Sequence, residues 1–405
     1  MKDTPRKFST TPGTRDVLPP ESTRLLNVQA KVLERFRLHG FREVITPALE
    51  YSEVVEEPKL RDASFKLFDP DNQMLLLRPE MTTPIARLVA QRLQGSPPPH
   101  KLSYSLPVYR RTSVGRGQSA EFHQAGIEVV GSTSPGEDAG AIALLVDALE
   151  SVGLRDFFVV LGQTAFYKGY LSRRAPEAAS GLLAALAAKD LVRVDEISEA
   201  LQADGIREIP RLVGPASDNS VLGRASRYAE GAAVGALENL KEILAHLGAC
   251  GRLGSVMLDL GLIGRHNYYT GVVYEVYAAG LGFTLANGGR YDNLLRHFGE
   301  PLPATGFAIS LERLISVLPE DEPPPLLVLV GDTVEATRLA ADLRSSCVPT
   351  LHLAENLAPE TAANYARSVD ASWVCYPATG GLKLARPGGE FEFVALEDLA
   401  GRVLS

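Results

Sequence analysis

Residues 78–82 combine side chains that can bind a small polar molecule. Glu80 and Thr82 are two positions apart, and such residues point to the same side of an extended chain. A carboxylate and a hydroxyl placed in this way can accept hydrogen bonds from an ammonium group. The alternative is structural, because the same residues can cap a helix that begins at Pro84.

A second polar cluster lies between residues 109 and 128. Gln124, Gly126 and Glu128 alternate along a strand-like segment, so they share one face, and Arg110 on the preceding segment adds a cation. Gln124 can donate to a carboxylate and Glu128 can accept from a ring N–H. Burying such a face is costly unless it binds something, and the alternative is a solvated face.

Two further clusters are aromatic or basic. Tyr268 and Tyr269 enter a strand and can line a pocket, although core or interface tyrosines fit equally well. The neighbouring His266 is typical of a surface histidine. Arg313, near a strand–helix junction, can face a phosphate or pair with a neighbouring acidic residue.

Several classes of site are not indicated. The sequence lacks a P-loop, a GxGxxG after a strand, and HExxH or GxSxG motifs. Its three cysteines are far apart, so no metal site, cofactor or disulfide framework is predicted. A net charge of −8 gives no support for a nucleic-acid partner. Without a signal segment or an apolar run of roughly 20 residues, no membrane association is predicted and a cytoplasmic protein is expected.

The elements that must position these residues follow from periodicity. Residues 21–39 have apolar residues at helical spacing, and the hairpin 102–132 contains the second cluster. The remaining predictions are a strand at 41–50 interrupted by Pro47, a strand at 73–77 and another at 156–163, and helices at 84–93 and 137–152.

The chain also divides by composition. Residues 1–320 form the predicted core, within which the Ala- and Leu-rich residues 165–250 indicate an inserted helical subdomain. The acidic and Pro-rich residues 321–325 are a predicted linker. In residues 326–405, strands alternate with helical stretches, which predicts a small α/β domain with a mostly parallel sheet.

Over most of residues 10–320 these segments, taken in order, resemble a class II aminoacyl-tRNA synthetase core, specifically that of histidyl-tRNA synthetase. GFREVITPALE resembles motif 1, YRRTSVGRGQSAEFHQAGIEVVG resembles motif 2, and GFAISLER resembles motif 3. LRPEMT, HNYYTGVVYE and GGRYDNL are similar to segments peculiar to the histidine enzyme. The resemblance implies an α+β fold, with an antiparallel sheet flanked by helices, that is usually dimeric.

The resemblance also implies a histidine pocket. The residues that match the synthetase's histidine contacts are Glu80, Thr82, Gln124, Glu128 and Tyr269. With Arg110 and Tyr268 added, they form the predicted histidine-binding set. Among them, Arg110 matches the motif 2 arginine, and outside them Arg313 matches the motif 3 arginine.

The ATP side departs from the synthetase pattern. Thr112 replaces the glutamate that reads adenine, Gln118 replaces an arginine that meets the phosphates, and Gly264 replaces the catalytic arginine. Arg265 is one residue away, which on a strand points it to the opposite face. Loss of one cationic donor to the phosphates typically lowers the reaction rate on the order of 10²–10³-fold. Thr112, Gln118 and Gly264, together with the retained Arg313, are therefore interpreted as a vestigial ATP side.

The departures match a paralogous family, the regulatory subunits of ATP phosphoribosyltransferase. Residues 326–405 resemble a degenerate anticodon-binding domain in pattern, but they contain six Lys or Arg and ten Asp or Glu. An acidic domain is poorly suited to RNA phosphates. This resemblance implies a non-catalytic allosteric subunit that forms a homodimer within a hetero-octamer. A short catalytic subunit would depend on it for activity and for feedback inhibition by histidine, in the first step of histidine biosynthesis.

Two other functions remain open from the sequence. One is a divergent but active histidyl-tRNA synthetase in which Arg265 replaces the missing arginine through a local bulge. The other is a histidine sensor with a different partner. Regulatory histidine can occupy either the synthetase-like pocket or a subunit interface.

Overall fold

The computed structural model describes residues 9–111, 119–199, 201, 203–264, 268–319 and 325–404. The chain forms two compact units, Met1–Pro319 and Glu320–Ser405. The helices and strands of the first unit are α1 (Glu21–Leu38), β1 (Arg42–Glu43), β2 (Leu49–Tyr51), α2 (Pro58–Asp62), β3 (Lys66–Phe68), β4 (Met74–Leu77), α3 (Thr82–Arg92), β5 (His100–Tyr109), β6 (Glu121–Val130), α4 (Pro135–Ser151), β7 (Phe157–Gln163), α5 (Thr164–Arg174), α6 (Ala179–Ala187), α7 (Leu191–Ser198), α8 (Gly205–Glu208), β8 (Val213–Pro215), α9 (Ser220–Ala225), α10 (Ala232–Ala249), β9 (Val256–Asp259), β10 (Val272–Ala278), β11 (Ala286–Tyr291), β12 (Ala304–Ser310) and α11 (Leu311–Val317).

A large sheet organises the first unit. Its described strands have the order β1-β5-β6-β12-β11-β10-β7-β9-β8, and all pairs are antiparallel except β1 with β5 and β7 with β9. β2, β4 and β3 form a separate antiparallel sheet. The predicted α+β class with a largely antiparallel sheet and flanking helices is therefore confirmed.

Helix α1 covers one face of the large sheet. Its buried residues are those at helical spacing, and among them Phe36 meets Phe307 of β12 edge to face, with ring centroids 5.6 Å apart. The helix ends at Leu38, and Gly40 follows in a left-handed conformation with φ of 81°. The predicted helix over 21–39 is thus one residue shorter at its end.

The interruption predicted at Pro47 in the strand over 41–50 is confirmed. The segment is divided into β1 and β2, which belong to different sheets. The guanidinium group of Arg78 holds the chain at this break, because it donates to the carbonyl oxygens of Thr46 at 2.7 Å and Pro47 at 3.2 Å. A buried arginine thereby satisfies backbone acceptors that a sheet ladder does not reach.

The helical segment, defined as residues 165–250, contains most of α5 and all of α6–α10. It also contributes β8 at the edge of the large sheet. Its buried side chains, such as Leu240, join those of β7, such as Leu161, in one hydrophobic core. This shared core gives the helices a fixed contact with the sheet strands that surround the site.

The second unit contains β13 (Leu327–Val330), α12 (Val334–Ser345), β14 (Thr350–Leu353), α13 (Pro359–Ser368), β15 (Trp373–Ala378), β16 (Gly381–Ala385), β17 (Glu392–Ala395) and α14 (Leu396–Leu404). The strand order is β14-β13-β15-β16-β17; the first three strands are parallel, and β16 and β17 are antiparallel to their neighbours. The sheet is therefore mixed rather than mostly parallel. Gly380, with φ of 79°, permits the tight turn between β15 and β16.

Neither a membrane-spanning helix nor a metal-binding cluster is present in the described ranges. No helix there is long and apolar enough to cross a membrane. In the same ranges, no group of three or more His, Cys, Asp or Glu side chains is arranged to hold a metal ion.

Candidate ligand-binding site

A cavity of about 180 Å³ opens on the large sheet, and we call it the ligand pocket. All seven residues of the predicted histidine site line it: Glu80, Thr82, Arg110, Gln124, Glu128, Tyr268 and Tyr269. Gly264 and Arg313 of the predicted ATP side line it as well. Thr112 and Gln118 lie outside the described residues.

Glycines on neighbouring strands make room for the buried polar side chains of the ligand pocket. A Cβ atom on Gly306 would overlap the Glu128 carboxyl group, and one on Gly126 would overlap the Tyr104 hydroxyl. A Cβ atom on Gly288 would lie 2.5 Å from the ring of Tyr274. Large polar side chains can lie against these strands because the glycine positions have no side chain.

Glu128 is the most deeply buried acidic group in the ligand pocket, with 1% of its surface exposed. It accepts hydrogen bonds from the hydroxyl groups of Tyr291 and Thr82. Burial raises the pKa of Glu128 to about 8, against the effect of these two donors. At neutral pH the Glu128 carboxyl group is therefore mainly protonated.

Glu80 both caps a helix and lines the ligand pocket. Its carboxylate accepts from the backbone N–H groups of Thr82 at 2.7 Å and Thr83 at 2.9 Å. These contacts start α3 at Thr82, two residues before the predicted start at Pro84. The alternative role of Glu80 as a helix cap is therefore confirmed, and the same carboxylate also lines the cavity.

Gln124 presents an unused hydrogen-bond acceptor. Its side-chain carbonyl oxygen is buried and has no hydrogen-bond partner among the described residues. Because a buried polar atom without a partner is costly, it is best satisfied by a donor that enters the cavity. An ammonium or N–H group of a ligand meets this requirement.

Tyrosine rings form one wall of the ligand pocket. Tyr268 lies between Tyr269 and Tyr291, with ring centroids 5.0 Å and 5.7 Å away. Burial raises the pKa values of Tyr268 and Tyr269, so both hydroxyl groups stay neutral. This wall offers flat apolar contact together with hydroxyl groups.

Arg110 and Arg313 contribute the cations of the ligand pocket. The Nε–H of Arg110 donates to the carbonyl oxygen of Pro79 at 2.6 Å, and its guanidinium group lies over the Phe122 ring at 5.4 Å. Burial lowers the pKa of Arg110, and the nearby Glu80 opposes this change. A guanidinium group retains its charge even so, and it can bind a carboxylate.

Comparison with known proteins identifies the family to which this chain belongs. A family model described as histidyl-tRNA synthetase matches residues 13–314. The chain is 73% identical to the ATP phosphoribosyltransferase regulatory subunit of Rubrobacter xylanophilus, with 98% of each protein covered. It is 38% identical to that of Moorella thermoacetica, over 89% of this chain and 97% of the relative. The chain belongs to the family of ATP phosphoribosyltransferase regulatory subunits.

Solved structures agree with membership of the ATP phosphoribosyltransferase regulatory subunit family. One described as an ATP phosphoribosyltransferase regulatory subunit/histidyl-tRNA synthetase from Bacillus halodurans has a TM-score of 0.83 and 31% identity, covering 92% of this chain and 99% of that one. Histidyl-tRNA synthetase from Nostoc sp. PCC 7120 also has a TM-score of 0.83, at 22% identity and with 98% of both chains covered. At that identity the likeness shows the class II synthetase-like fold alone.

In this regulatory-subunit chain, Gly264 stands where the synthetase resemblance places a catalytic arginine. Gly264 has φ of 76°, and a Cβ atom on it would lie 2.6 Å from Cδ2 of Tyr269. A residue with a side chain at this position would have an unfavourable left-handed backbone conformation and would displace the ring of Tyr269. Arg265, the alternative source of the cation, lies outside the described residues.

The cavity of the regulatory subunit also contains residues that the sequence analysis did not assign to it. Tyr104, Asn287 and Tyr291 line the cavity, and Tyr291 bonds directly to Glu128. A signal for Tyr104 exists, because it pairs with Gly126 across the hairpin and a glycine opposite a large ring indicates close packing. Asn287 and Tyr291 are four positions apart on β11 and therefore share a face.

Proposed function

We propose that the chain is a non-catalytic regulatory subunit, required by a short ATP phosphoribosyltransferase catalytic subunit and responsive to histidine as feedback inhibitor. The observation behind this proposal is the pairing of a complete polar ligand pocket with Gly264 at the position of the catalytic arginine. Binding groups remain, while the cation that stabilises a developing charge is absent from that position. The reaction it would regulate is the first step of histidine biosynthesis.

Histidine matches the chemistry of the ligand pocket group by group. Its ammonium group fits the acceptors Glu80, Thr82 and Gln124. Its imidazole N–H can donate to Glu128, and its carboxylate can pair with Arg110. The tyrosine wall then packs against the imidazole ring.

Feedback inhibition by this ligand requires two conformations with different affinities for histidine. A ligand changes an equilibrium only by its difference in affinity for the two states, and the coupling is reciprocal. We therefore propose that histidine binding to the ligand pocket favours the conformation in which the catalytic subunit is less active.

We further propose a homodimer within a hetero-octamer of regulatory and catalytic subunits. The face of the small sheet supports self-association, because five apolar side chains in register on it are exposed or half-buried: Leu49, Tyr51, Leu67, Leu75 and Leu77. Apolar patches of this kind mark protein interfaces. The excess of acidic over basic side chains in residues 326–405 supports a protein without a nucleic-acid partner, and we propose that it is cytoplasmic.

Reconstitution with a short catalytic subunit tests the proposal. Phosphoribosyl transfer is measured with wild-type chain, with Glu128→Ala and with the control Glu238→Ala, whose side chain is exposed. We expect all three to stimulate the catalytic subunit, and only Glu128→Ala to lose inhibition by histidine. Unchanged inhibition of the Glu128→Ala complex would place regulatory histidine elsewhere, such as at a subunit interface.

The retained Arg110 and Arg313 favour one second candidate, an active histidyl-tRNA synthetase. Histidine-dependent ATP–pyrophosphate exchange distinguishes the two functions, because a non-catalytic regulatory subunit should show no exchange above background. A histidine sensor with a different partner would show neither exchange nor stimulation of phosphoribosyl transfer. Co-purification of the chain with a short phosphoribosyltransferase separates this third function from the first.

A further inference from the structure

Two lysines of the helical segment form hydrogen bonds with residues that line the ligand pocket. Lys168 of α5 donates to the carbonyl oxygen of Tyr269 at 3.1 Å. Lys189, between α6 and α7, has its Nζ 3.3 Å from Oε2 of Glu275 and donates to the Tyr277 hydroxyl at 2.8 Å. The helices therefore contact the pocket wall at two separate points.

Glu275 occupies a position shared by two cavities. It lies on β10, lines the ligand pocket, and also lines a second cavity of about 370 Å³ that Lys189 lines too. Its side chain is 4% exposed, and a buried carboxylate requires hydrogen bonds or opposite charge to remain in place. The ammonium group of Lys189 and the hydroxyl group of Tyr277 supply such contacts. Lys189 therefore contacts the pocket wall through Glu275.

The backbone of Lys189 is in a conformation that favours glycine. Its φ is 59°, and it follows α6 at the position where helices commonly end with a left-handed glycine. The N–H of Lys189 bonds to Leu186 O and that of Asp190 bonds to Ala185 O, both at 2.9 Å, which completes the helix end. A lysine at this position carries a backbone cost that glycine does not, and such costs are concentrated at functional positions.

We infer that Lys189, together with Lys168, is a positioning residue for the ligand pocket and transmits its occupancy to the helical segment. A ligand that displaces Glu275 or Tyr269 changes the partners of these two lysines, and the helices that carry them respond. By reciprocity, fixing the helices changes ligand affinity. The inference rests on the proposed function in taking histidine as the ligand.

Lys189→Gly separates this role from folding, because glycine suits the left-handed helix end and leaves α6 intact. We expect the variant to bind histidine at least about fivefold more weakly by calorimetry, the lower end of typical site-to-site coupling. Histidine should also lose its effect on hydrogen exchange in residues 179–198, while protection of the pocket strands persists. Lys189→Arg, which keeps the cation, should restore most of the affinity.

Lys241→Ala is the matched control, since Lys241 also lies in the helical segment but pairs with Glu238 on the surface. We expect it to bind histidine like the wild type. Wild-type affinity and an unchanged exchange response in Lys189→Gly would overturn the inference alone. If the wild-type chain does not bind histidine, the proposed ligand is wrong and the inference fails with it.

Discussion

Gly264 and Tyr269 share a space that only one side chain can occupy. A Cβ atom on Gly264 would lie 2.6 Å from Cδ2 of Tyr269, closer than Cβ atoms approach other carbons in proteins. The tyrosine ring is part of the ligand pocket wall. The ring of Tyr269 therefore has its present position in the pocket wall only because residue 264 has no side chain.

Restoring the arginine should not restore synthetase chemistry. We expect Gly264→Arg to show no histidine-dependent ATP–pyrophosphate exchange and to bind histidine more weakly than the wild type, because the new side chain displaces Tyr269. Radiolabel exchange and calorimetry measure the two effects. Gain of exchange with unchanged histidine affinity would show that the pocket can accommodate the arginine.

An alanine pair separates the clash from the backbone cost. Gly264 and Gly280 both have positive φ, but Gly280 has no atom within 4 Å of a Cβ position. In both Gly→Ala variants, the left-handed backbone conformation should destabilise the folded state by about 1 kcal/mol. We expect only Gly264→Ala to weaken histidine binding.

The raised pKa of Glu128 predicts a specific pH dependence of stability. Its pKa is about 8 in the folded chain and about 4.5 when unperturbed, so the folded state holds the proton more tightly. The resulting stabilisation is complete below about pH 4.5 and is lost as the pH rises to about 8. Glu128→Gln removes this titration, and urea unfolding should show a shallower fall, by up to about 1.4 kcal/mol per pH unit. The exposed Glu238→Gln should follow the wild type; a slope in Glu128→Gln equal to that of the wild type would contradict the assignment.

A buried ion pair joins β11 to the first turn of α4. Arg290 Nε lies 2.9 Å from Oδ2 of Asp138, and the two side chains are 7% and 0% exposed. Asp138→Ala leaves the guanidinium charge buried with Asp292 as a weaker partner at 3.3 Å. We expect the free energy of unfolding to fall by about 3–5 kcal/mol, measured by chemical denaturation. The double variant Asp138→Ala/Arg290→Met should recover at least half of the loss; no recovery would mean that packing, not charge, dominates.

The exposed face of the small sheet predicts the oligomeric state. Tyr51 is 53% exposed on that face. If the face joins two copies of the chain, Tyr51→Lys buries a charge in the interface and should convert the dimer to a monomer in light-scattering chromatography. Leu38→Lys, at a position on α1 that is 62% exposed, should remain dimeric. A dimeric Tyr51→Lys would assign self-association to another surface.

Local patterns in the sequence were sufficient to predict several of the elements and the polar side chains of part of the ligand pocket. Residues of α1 at helical spacing predicted its buried face, and two-residue spacing placed Gln124 and Glu128 on the same side of β6. These features depend on the periodicity of helices and strands, which is a property of the local chain. The synthetase resemblance then united segments as distant as Glu80 and Tyr269.

Tertiary structure alone decided how the side chains meet. The chain between β1 and β2, which join different sheets, contacts Arg78, a residue distant in sequence. The raised pKa of Glu128 depends on its burial in the folded chain, against the hydrogen bonds from Tyr291 and Thr82. Whether an arginine side chain fits at position 264 depends on the position of the Tyr269 ring in the folded chain. Local sequence determined which residue types were present on each element, whereas electrostatics and steric exclusion depend on distances between elements, which only the folded chain sets.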